Sequence, residues 1–138
     1  MYRKFISFLI GLIIIPAAVG TASGAEPDSA GWQLINRDAQ GNTLYMVSPA
    51  EQPENNIKRV WMKVETPAEN SPSPMLFLND IDCSQGLIKR LEVKLYSKAA
   101  GSEPFQTMSF DPKWDRPSVG LEQTLHKTVC RQENEKSL

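Results

Sequence analysis

Two cysteines, Cys83 and Cys130, place the strongest constraint on how this chain can fold. They are the only cysteines in the 138 residues, and both follow an N-terminal segment that is typical of exported proteins. Two thiols in an oxidising compartment most simply form one disulfide. A disulfide between residues 83 and 130 would close a loop of about 48 residues. On the chain-entropy relation, this restriction of the unfolded chain stabilises the fold by roughly 4 kcal/mol. The sequence therefore predicts that the segments around the two cysteines lie side by side.

His126 precedes Cys130 by four residues, and this spacing opens two other interpretations of the second cysteine. Residues four apart share one face of a helix, so the pair could begin a metal site or a Cys/His nucleophile pair. A zinc site would need carboxylates as well, because the chain holds only two cysteines and one histidine. A catalytic cysteine must be reduced, whereas Cys130 has an oxidation partner. We therefore expect the disulfide, with no catalytic residue, cofactor or metal.

Residues 1–25 have the layout of a secretory signal peptide. Arg3 and Lys4 precede an apolar run from Phe5 to Val19, and small residues follow up to Ala25. The alternative is an uncleaved membrane anchor, but the run falls short of the roughly 20 residues that a spanning helix needs. We expect cleavage, which leaves an exported protein, periplasmic or secreted, with no stable membrane span. No cysteine near the cleavage site could carry a lipid.

The remaining residues suffice for one domain. We expect a flexible lead over 26–31, a single domain over 32–131 and a charged tail over 132–138. The chain has 15 Lys and Arg against 16 Asp and Glu, and it becomes more acidic when the signal peptide takes Arg3 and Lys4 with it. Since nucleic-acid binding requires a basic surface, nucleic acid is excluded as a partner.

Alternating apolar and polar residues indicate several β-strands. Residues 32–36 and 43–47 flank a polar turn and predict a hairpin, and further strands are expected over 57–66, 75–83, 87–97 and 105–110. The period changes after residue 118, where Leu121, Leu125 and Val129 indicate an amphipathic helix with Ser118 as its N-cap. The predicted fold class is α+β, with an antiparallel sheet of about six strands, one face of which packs against a C-terminal helix.

Trp61 is the candidate binding residue that this strand pattern singles out. Alternation places it with Arg59 and Lys63, on the face opposite Val60 and Met62. If that face is exposed, a tryptophan among charges is a possible interface residue; in the alternative, both faces are covered and Trp61 is buried. Basic residues on neighbouring strands could form a positive stripe that attracts an acidic partner or polysaccharide, or a solvated face balanced by acids. They are Lys58, Arg59, Lys63, Lys89, Arg90 and Lys94.

The order of these features resembles the surface-adhesin protein E family of bacterial envelope proteins. The resemblance spans residues 31–131 and rests on Trp32, GNTLYMV, RVWMKV, Asp82-Cys83, Tyr96, Trp114, Pro117-Ser118 and Cys130. It implies a six-stranded antiparallel sheet, a helix tied to the sheet by the Cys83–Cys130 bond, a tendency to form homodimers, and binding of host extracellular-matrix and serum proteins. Because this chain lacks a lipid-acceptor cysteine, surface display is less expected than a periplasmic or secreted form.

These observations favour a non-enzymatic binding module for protein partners. The alternative is a periplasmic structural or accessory protein that has no host ligand and uses the same sheet face to dimerise. An envelope enzyme or metal carrier centred on His126 is the least favoured interpretation, since the sequence lacks a phosphate-binding loop and a GxSxG motif.

Overall fold

The computed structural model describes residues 31–48, 52–54, 56–99 and 103–136. The predicted signal peptide and the predicted lead up to residue 30 lie outside the described residues. The strands are β1 (Gln33–Arg37), β2 (Thr43–Val47), β3 (Ile57–Glu65), β4 (Met75–Asp82), β5 (Leu87–Leu95), β6 (Gln106–Ser109) and β7 (Trp114–Asp115), and the helix is α1 (Leu121–Lys136).

The sheet is an antiparallel meander in which each strand pairs with the next one along the chain. Its order is β1-β2-β3-β4-β5-β6, and the short β7 pairs with β5 beyond the end of β6. Neighbouring strands in an antiparallel sheet can follow each other through short connections, which agrees with the turn-rich segments between the predicted strands. The predicted fold class is confirmed.

One face of the sheet, here called the helix face, holds the main core under α1. Val60, Met62 and Val64 of β3 lie on it, as the alternation predicted, and Leu125 and Val129 of α1 pack into the same cluster. Burying an aliphatic side chain of this size contributes roughly 1.5–3 kcal/mol. The helix is therefore held to the sheet by the apolar stripe that its sequence predicted.

The predicted disulfide between Cys83 and Cys130 is confirmed, with a Cα–Cα distance of 5.5 Å. Cys83 follows β4 directly, and both cysteines contact the margin of the core cluster. Because Cys130 lies beside the apolar stripe of α1, the bond joins the flank of the helix to the end of the sheet. The helix continues past Cys130 to Lys136, so it extends into the segment that was expected to be a charged tail.

The turn between β4 and β5 positions Cys83. Asp82 Oδ1 accepts hydrogen bonds from Ser84 Oγ at 2.6 Å, Ser84 N at 2.9 Å and Gln85 N at 3.0 Å. The Ser84 hydroxyl first, and then the Gln85 amide, hold the pKa of the Asp82 carboxyl below its ordinary value of 3.8. Gly86 closes the turn with a φ of 69°, a conformation that side chains with a Cβ rarely adopt.

The start of α1 differs in detail from the prediction. The helix begins at Leu121, after Gly120 with a φ of 105°, so Ser118 is not its N-cap. Instead, the Ser118 N–H and hydroxyl both donate to Glu122 Oε2, at 2.9 Å and 2.6 Å. Glu122 lies in the first turn of the helix, where a negative charge is favourable. Its two hydrogen bonds with Ser118 hold the preceding loop in place.

Candidate binding surfaces

The second face of the sheet, here called the charged face, carries a second apolar cluster beneath its charges. Trp61 is its largest member and is 0% exposed; Leu76, Leu78 and Tyr96 are buried with it. Partly buried side chains complete the cluster: Trp32, Val47 and Leu91. Both faces of β3 are therefore covered, which is the alternative that the alternation pattern left open. Trp61 supports the charged face from below and is not exposed to a partner.

The indole of Trp61 has one unusual feature. Its Nε1 is buried and has no hydrogen-bond partner among the described residues, although most buried polar atoms in proteins are paired. The Lys94 ammonium lies over the ring, with Nζ 5.3 Å from the centroid. A cation above an aromatic face is attracted by the ring quadrupole, with an energy of roughly 0.5–2 kcal/mol. The ring is thus stabilised through its face rather than through its N–H.

Arg59 lies on the charged face and forms the best-defined ion pair there. Its Nε donates to Asp80 Oδ1 at 2.8 Å and its Nη2 to Asp80 Oδ2 at 3.0 Å. Lys89 Nζ lies 3.4 Å from the second oxygen and 4.6 Å from the Trp114 ring centroid. Asp80 is 1% exposed, so its charge is buried between two cations. Sequence analysis missed this role of Asp80, which depends on the strand register that sets it opposite Arg59 and Lys89.

Lys63 occupies an aromatic slot at the other end of the charged face. Its Nζ lies 4.3 Å from the Tyr45 centroid, 5.1 Å from the Trp32 centroid and 3.0 Å from Glu65 Oε1. The side chain keeps 18% of its area exposed. The long aliphatic stem can lie on the rings while the ammonium remains accessible.

The cations of the charged face are matched by acids, so the face is not a positive stripe. Arg59, Lys63, Lys89 and Lys94 each have a carboxylate oxygen within 3.5 Å, supplied by Asp80, Glu65 or Glu92. The partly exposed pairs Lys63–Glu65 and Lys94–Glu92 contribute little to stability, typically about 0–1 kcal/mol each, whereas removing a partner of the buried Asp80 would leave a buried charge uncompensated. Of the two alternatives, the structure agrees with a face balanced by acids. A strong attraction of this face for polyanions is therefore not expected.

Arg90 lies on the opposite face from the one predicted. The possible positive stripe grouped Arg90 with Lys94, and strict alternation along β5 would set both on the charged face, but the pairing of β4 with β5 shifts by one residue at Leu78 and Asn79. Such a β-bulge reverses the face on which later side chains lie. Arg90 consequently points towards α1 and forms an ion pair with Glu122.

Glu122 is held ionised by its surroundings. Burial raises the pKa of its carboxyl, but hydrogen bonds from Ser118 and the charge of Arg90 more than compensate, so that the pKa lies below its ordinary value of 4.5. Asn79 adds to this network, because its Oδ1 lies 3.4 Å from Arg90 Nε. The network connects the bulge in the sheet to the first turn of α1.

A cleft of about 440 Å³ lies beside this network. Apolar Ile88 and Phe110 line one part of it. Charged side chains line the rest, three of them basic and two acidic: Arg90, Lys113, Arg116, Asp115 and Glu122. The cleft lies next to the β6 end of the sheet, where Phe110 follows the strand directly. It can accept a polar or acidic side chain, because its lining has an excess of one positive charge.

His126 does not form a site with Cys130. Cys130 is in the disulfide, and its Sγ lies 3.9 Å from the ring nitrogens of His126. Across the described residues, no group of three or more His, Cys, Asp and Glu side chains has the arrangement of a metal site. His126 is a partly buried residue of α1.

A family model described as surface-adhesin protein E matches residues 32–131. The chain belongs to this family. The matched range begins just before β1 and ends within α1, so it contains the whole meander and both cysteines of the disulfide. Comparison with curated proteins and with solved structures found no match. In the part of the chain that the structure describes, no helix combines the length and the apolar character needed to span a membrane.

Proposed function

We propose that this protein is an exported, non-enzymatic binding module whose ligands are other proteins. The observation that carries the proposal is the family match over residues 32–131 to a surface adhesin. The N-terminal sequence supports export, because a basic start, an apolar run and small residues are typical of a signal peptide. Within this proposal, host extracellular-matrix proteins are the first ligands to test, since the family is described by its adhesive role.

The charged face supplies a surface suited to such a ligand. It combines partly exposed aromatic rings with charges that are already paired, and interfaces between proteins are enriched in tyrosine, tryptophan and arginine. Arg59 and Lys63 lie at its accessible margin, with 21% and 18% of their side chains exposed. We propose these two residues as interface residues, in contact either with a partner protein or with a second copy of the chain.

The location of the protein decides between the adhesin and a periplasmic accessory protein. Intact cells that express the protein are treated with a protease, and the remaining full-length protein is measured by immunoblot. An exposed adhesin is digested on intact cells, whereas a periplasmic protein is protected until the outer membrane is permeabilised. Protection in intact cells contradicts the adhesin. A known periplasmic enzyme serves as the control for membrane integrity.

Charge reversal tests the interface residues. Arg59→Glu would leave the buried Asp80 facing a like charge and could destabilise the fold, so Lys63→Glu is the cleaner variant. Lys63 packs against the partly buried rings of Trp32 and Tyr45 and pairs with Glu65, whose side chain is 42% exposed, so its loss leaves no buried charge unpaired. Reversing its charge should weaken an interface several-fold through repulsion. Binding to immobilised matrix proteins and sedimentation equilibrium measure the two possible partners. Unchanged binding and unchanged association would remove Lys63 from the interface.

A further inference from the structure

Strand β6 forms an unusual edge of the sheet. It is the last strand in the order of the described sheet, and it pairs with β5 without a register shift. Residues 105–110 read FQTMSF, with no charge, proline or glycine. Proteins usually protect edge strands with charges, prolines or bulges, because an open edge pairs readily with another chain. The opposite edge, β1, has both a bulge near Leu34 and a charge at Arg37.

The backbone of β6 presents hydrogen-bonding groups to solvent. The Phe110 N–H donates to the Leu91 carbonyl at 3.2 Å, and in an antiparallel pair the hydrogen-bonded residues alternate along the strand. The backbone N–H and C=O groups of Met108 therefore point towards β5, whereas those of Thr107 and Ser109 point away from the sheet. These groups can accept one additional strand.

Two large apolar side chains flank this edge. Phe105 is 57% exposed and Phe110 is 44% exposed, at the two ends of β6. Phe110 follows β6 directly, whereas Phe105 lies in a bend just before the strand, where its N–H donates to the Leu95 carbonyl at 3.0 Å. A strand added to β6 would cover both rings only if it carried apolar side chains opposite each of them.

A second copy of β6 does not meet this requirement. The outward groups allow an antiparallel copy to set its Phe105, Thr107, Ser109 or Asp111 opposite Thr107. In these registers Phe105 would lie opposite Thr107, Ser109, Asp111 or Lys113 of the second copy, all of which are polar. The register that sets the two Phe105 rings opposite each other pairs the bends that precede β6 and not the strands. A different chain, with an apolar residue at each end of an uncharged segment, matches the edge better.

The cleft beside Phe110 adds a preference for charge. Side chains two positions apart on a strand share a face, so a residue of the added strand just beyond the one opposite Phe110 reaches the cleft. Lys113, Arg116 and Asp115 line that region, and Arg90 is already paired with Glu122, which leaves an excess of one positive charge. A carboxylate is the complementary group.

We propose that the β6 edge binds an extended segment of a partner protein by strand addition. The segment has apolar residues opposite Phe105 and Phe110, an uncharged centre, and a carboxylate that enters the cleft. Backbone hydrogen bonds supply affinity in such complexes, and side-chain pockets supply specificity. The surface is separate from the charged face, so the inference rests on the proposed function only in taking a protein as the partner.

A synthetic peptide tests the geometry directly. The probe is acetyl-Glu-Thr-Leu-Gln-Thr-Val-Ser-Leu-Thr-amide, in which the two leucines lie opposite Phe110 and Phe105 when the peptide runs antiparallel to β6. Binding of a fluorescent derivative to the full-length purified protein is measured by anisotropy. N-methylation of the peptide's Gln and Val removes the donors that face β6 and should weaken binding at least about tenfold. The matched control carries N-methyl groups on the Thr between Gln and Val and on the Ser after Val. The N–H groups of these two residues face away from β6, so the affinity of this peptide should stay within about twofold.

Protein variants test the same edge from the other side. Thr107→Pro removes a donor that the sheet does not use, and proline is tolerated on an edge when its nitrogen faces solvent. We expect at least about a tenfold loss of peptide affinity for Thr107→Pro and little change for Thr107→Ala. Circular dichroism checks that both variants are folded. If Thr107→Pro is unfolded, the N-methylated peptides alone decide the outcome.

Several results would overturn the inference. They are equal affinity of the two N-methylated peptides, absence of saturable binding up to about 1 mM, and dimerisation that Thr107→Pro abolishes, which would assign the edge to a second copy. The proposed function has a separate outcome. Wild-type protein that binds matrix proteins but shows no saturable binding of the peptide would reject the β6 edge and leave the adhesin role standing, whereas protein that binds the peptide but no matrix protein would reject the adhesin role and leave the β6 edge standing.

Discussion

Replacing Cys83 and Cys130 with alanine should reveal how much of the stability depends on the single covalent link between α1 and the sheet. The two residues are separated by 47 positions in the sequence. For a loop of this length, the chain-entropy relation gives a stabilisation of roughly 4 kcal/mol at 25 °C. A domain of this size is typically stable by only about 5–15 kcal/mol, so the bond accounts for a large share.

This free energy converts into a large change in melting temperature. In a domain of about 100 residues, each kcal/mol shifts the midpoint by roughly 4 °C or more. We therefore expect the double alanine variant to melt roughly 15–20 °C below the wild-type protein. The apolar contacts of Leu125 and Val129 remain in the variant, so α1 should still form at low temperature.

The assay is thermal unfolding followed by circular dichroism, with and without a reducing agent. The wild-type protein should lose stability on reduction by about the same amount as the double variant does by mutation. The reducing agent should have no effect on the double variant, which controls for its other actions. A loss of melting temperature below about 5 °C would refute the reasoning. It would mean that other contacts keep the two segments close together in the unfolded chain when the disulfide is absent.

Further substitutions at Trp61, Asp82 and Glu122 test the polar groups that the fold covers wholly or in part. Trp61→Ala should cost about 3–5 kcal/mol in urea unfolding, whereas Trp61→Phe should cost much less, since it also removes an N–H that has no partner among the described residues; similar costs would mean that the N–H is satisfied. Asp82→Asn should lose about 1 kcal/mol at pH 7. Because the folded pKa of Asp82 lies below 3.8, its stabilisation is present above that value and disappears as the pH falls through the folded pKa; a difference that persists at pH 2 would contradict this cause. Glu122→Gln should lose about 1 kcal/mol, and adding Arg90→Met should cost little more, which a double-mutant cycle measures; additive losses would exclude coupling between the two side chains.

Local sequence patterns were sufficient to predict most of the sheet. The predicted span of β2 agrees with the structure residue for residue, and the apolar face of β3 was assigned correctly. These predictions succeeded because a side-chain period of two is a local property of a strand. The disulfide was also predictable, since a chain with two thiols and a predicted signal peptide offers a single pairing.

Features that depend on contacts between distant segments were not predictable. The register shift near Asn79 moves Arg90 to the helix face. The sequence of β5 contains no glycine or proline that would have indicated a bulge. The burial of Trp61 depends on Trp32, which precedes β1, and on Tyr96, which follows β5. Both residues are distant from Trp61 in the sequence. The pairing of Asp80 with two cations likewise requires the register of three strands. The open edge at β6 could be suspected from its uncharged sequence, but its position at the end of the sheet requires the topology.

The strand order has a consequence for how the protein assembles. Since each strand of the meander pairs with its immediate predecessor, the sheet can grow in the order in which the chain emerges from a ribosome or a translocation channel. Local pairing of this kind favours rapid folding. Cys130 lies near the end of the chain, so its thiol meets Cys83 only after every strand has emerged. The bond therefore cannot form before all seven strands are available for pairing.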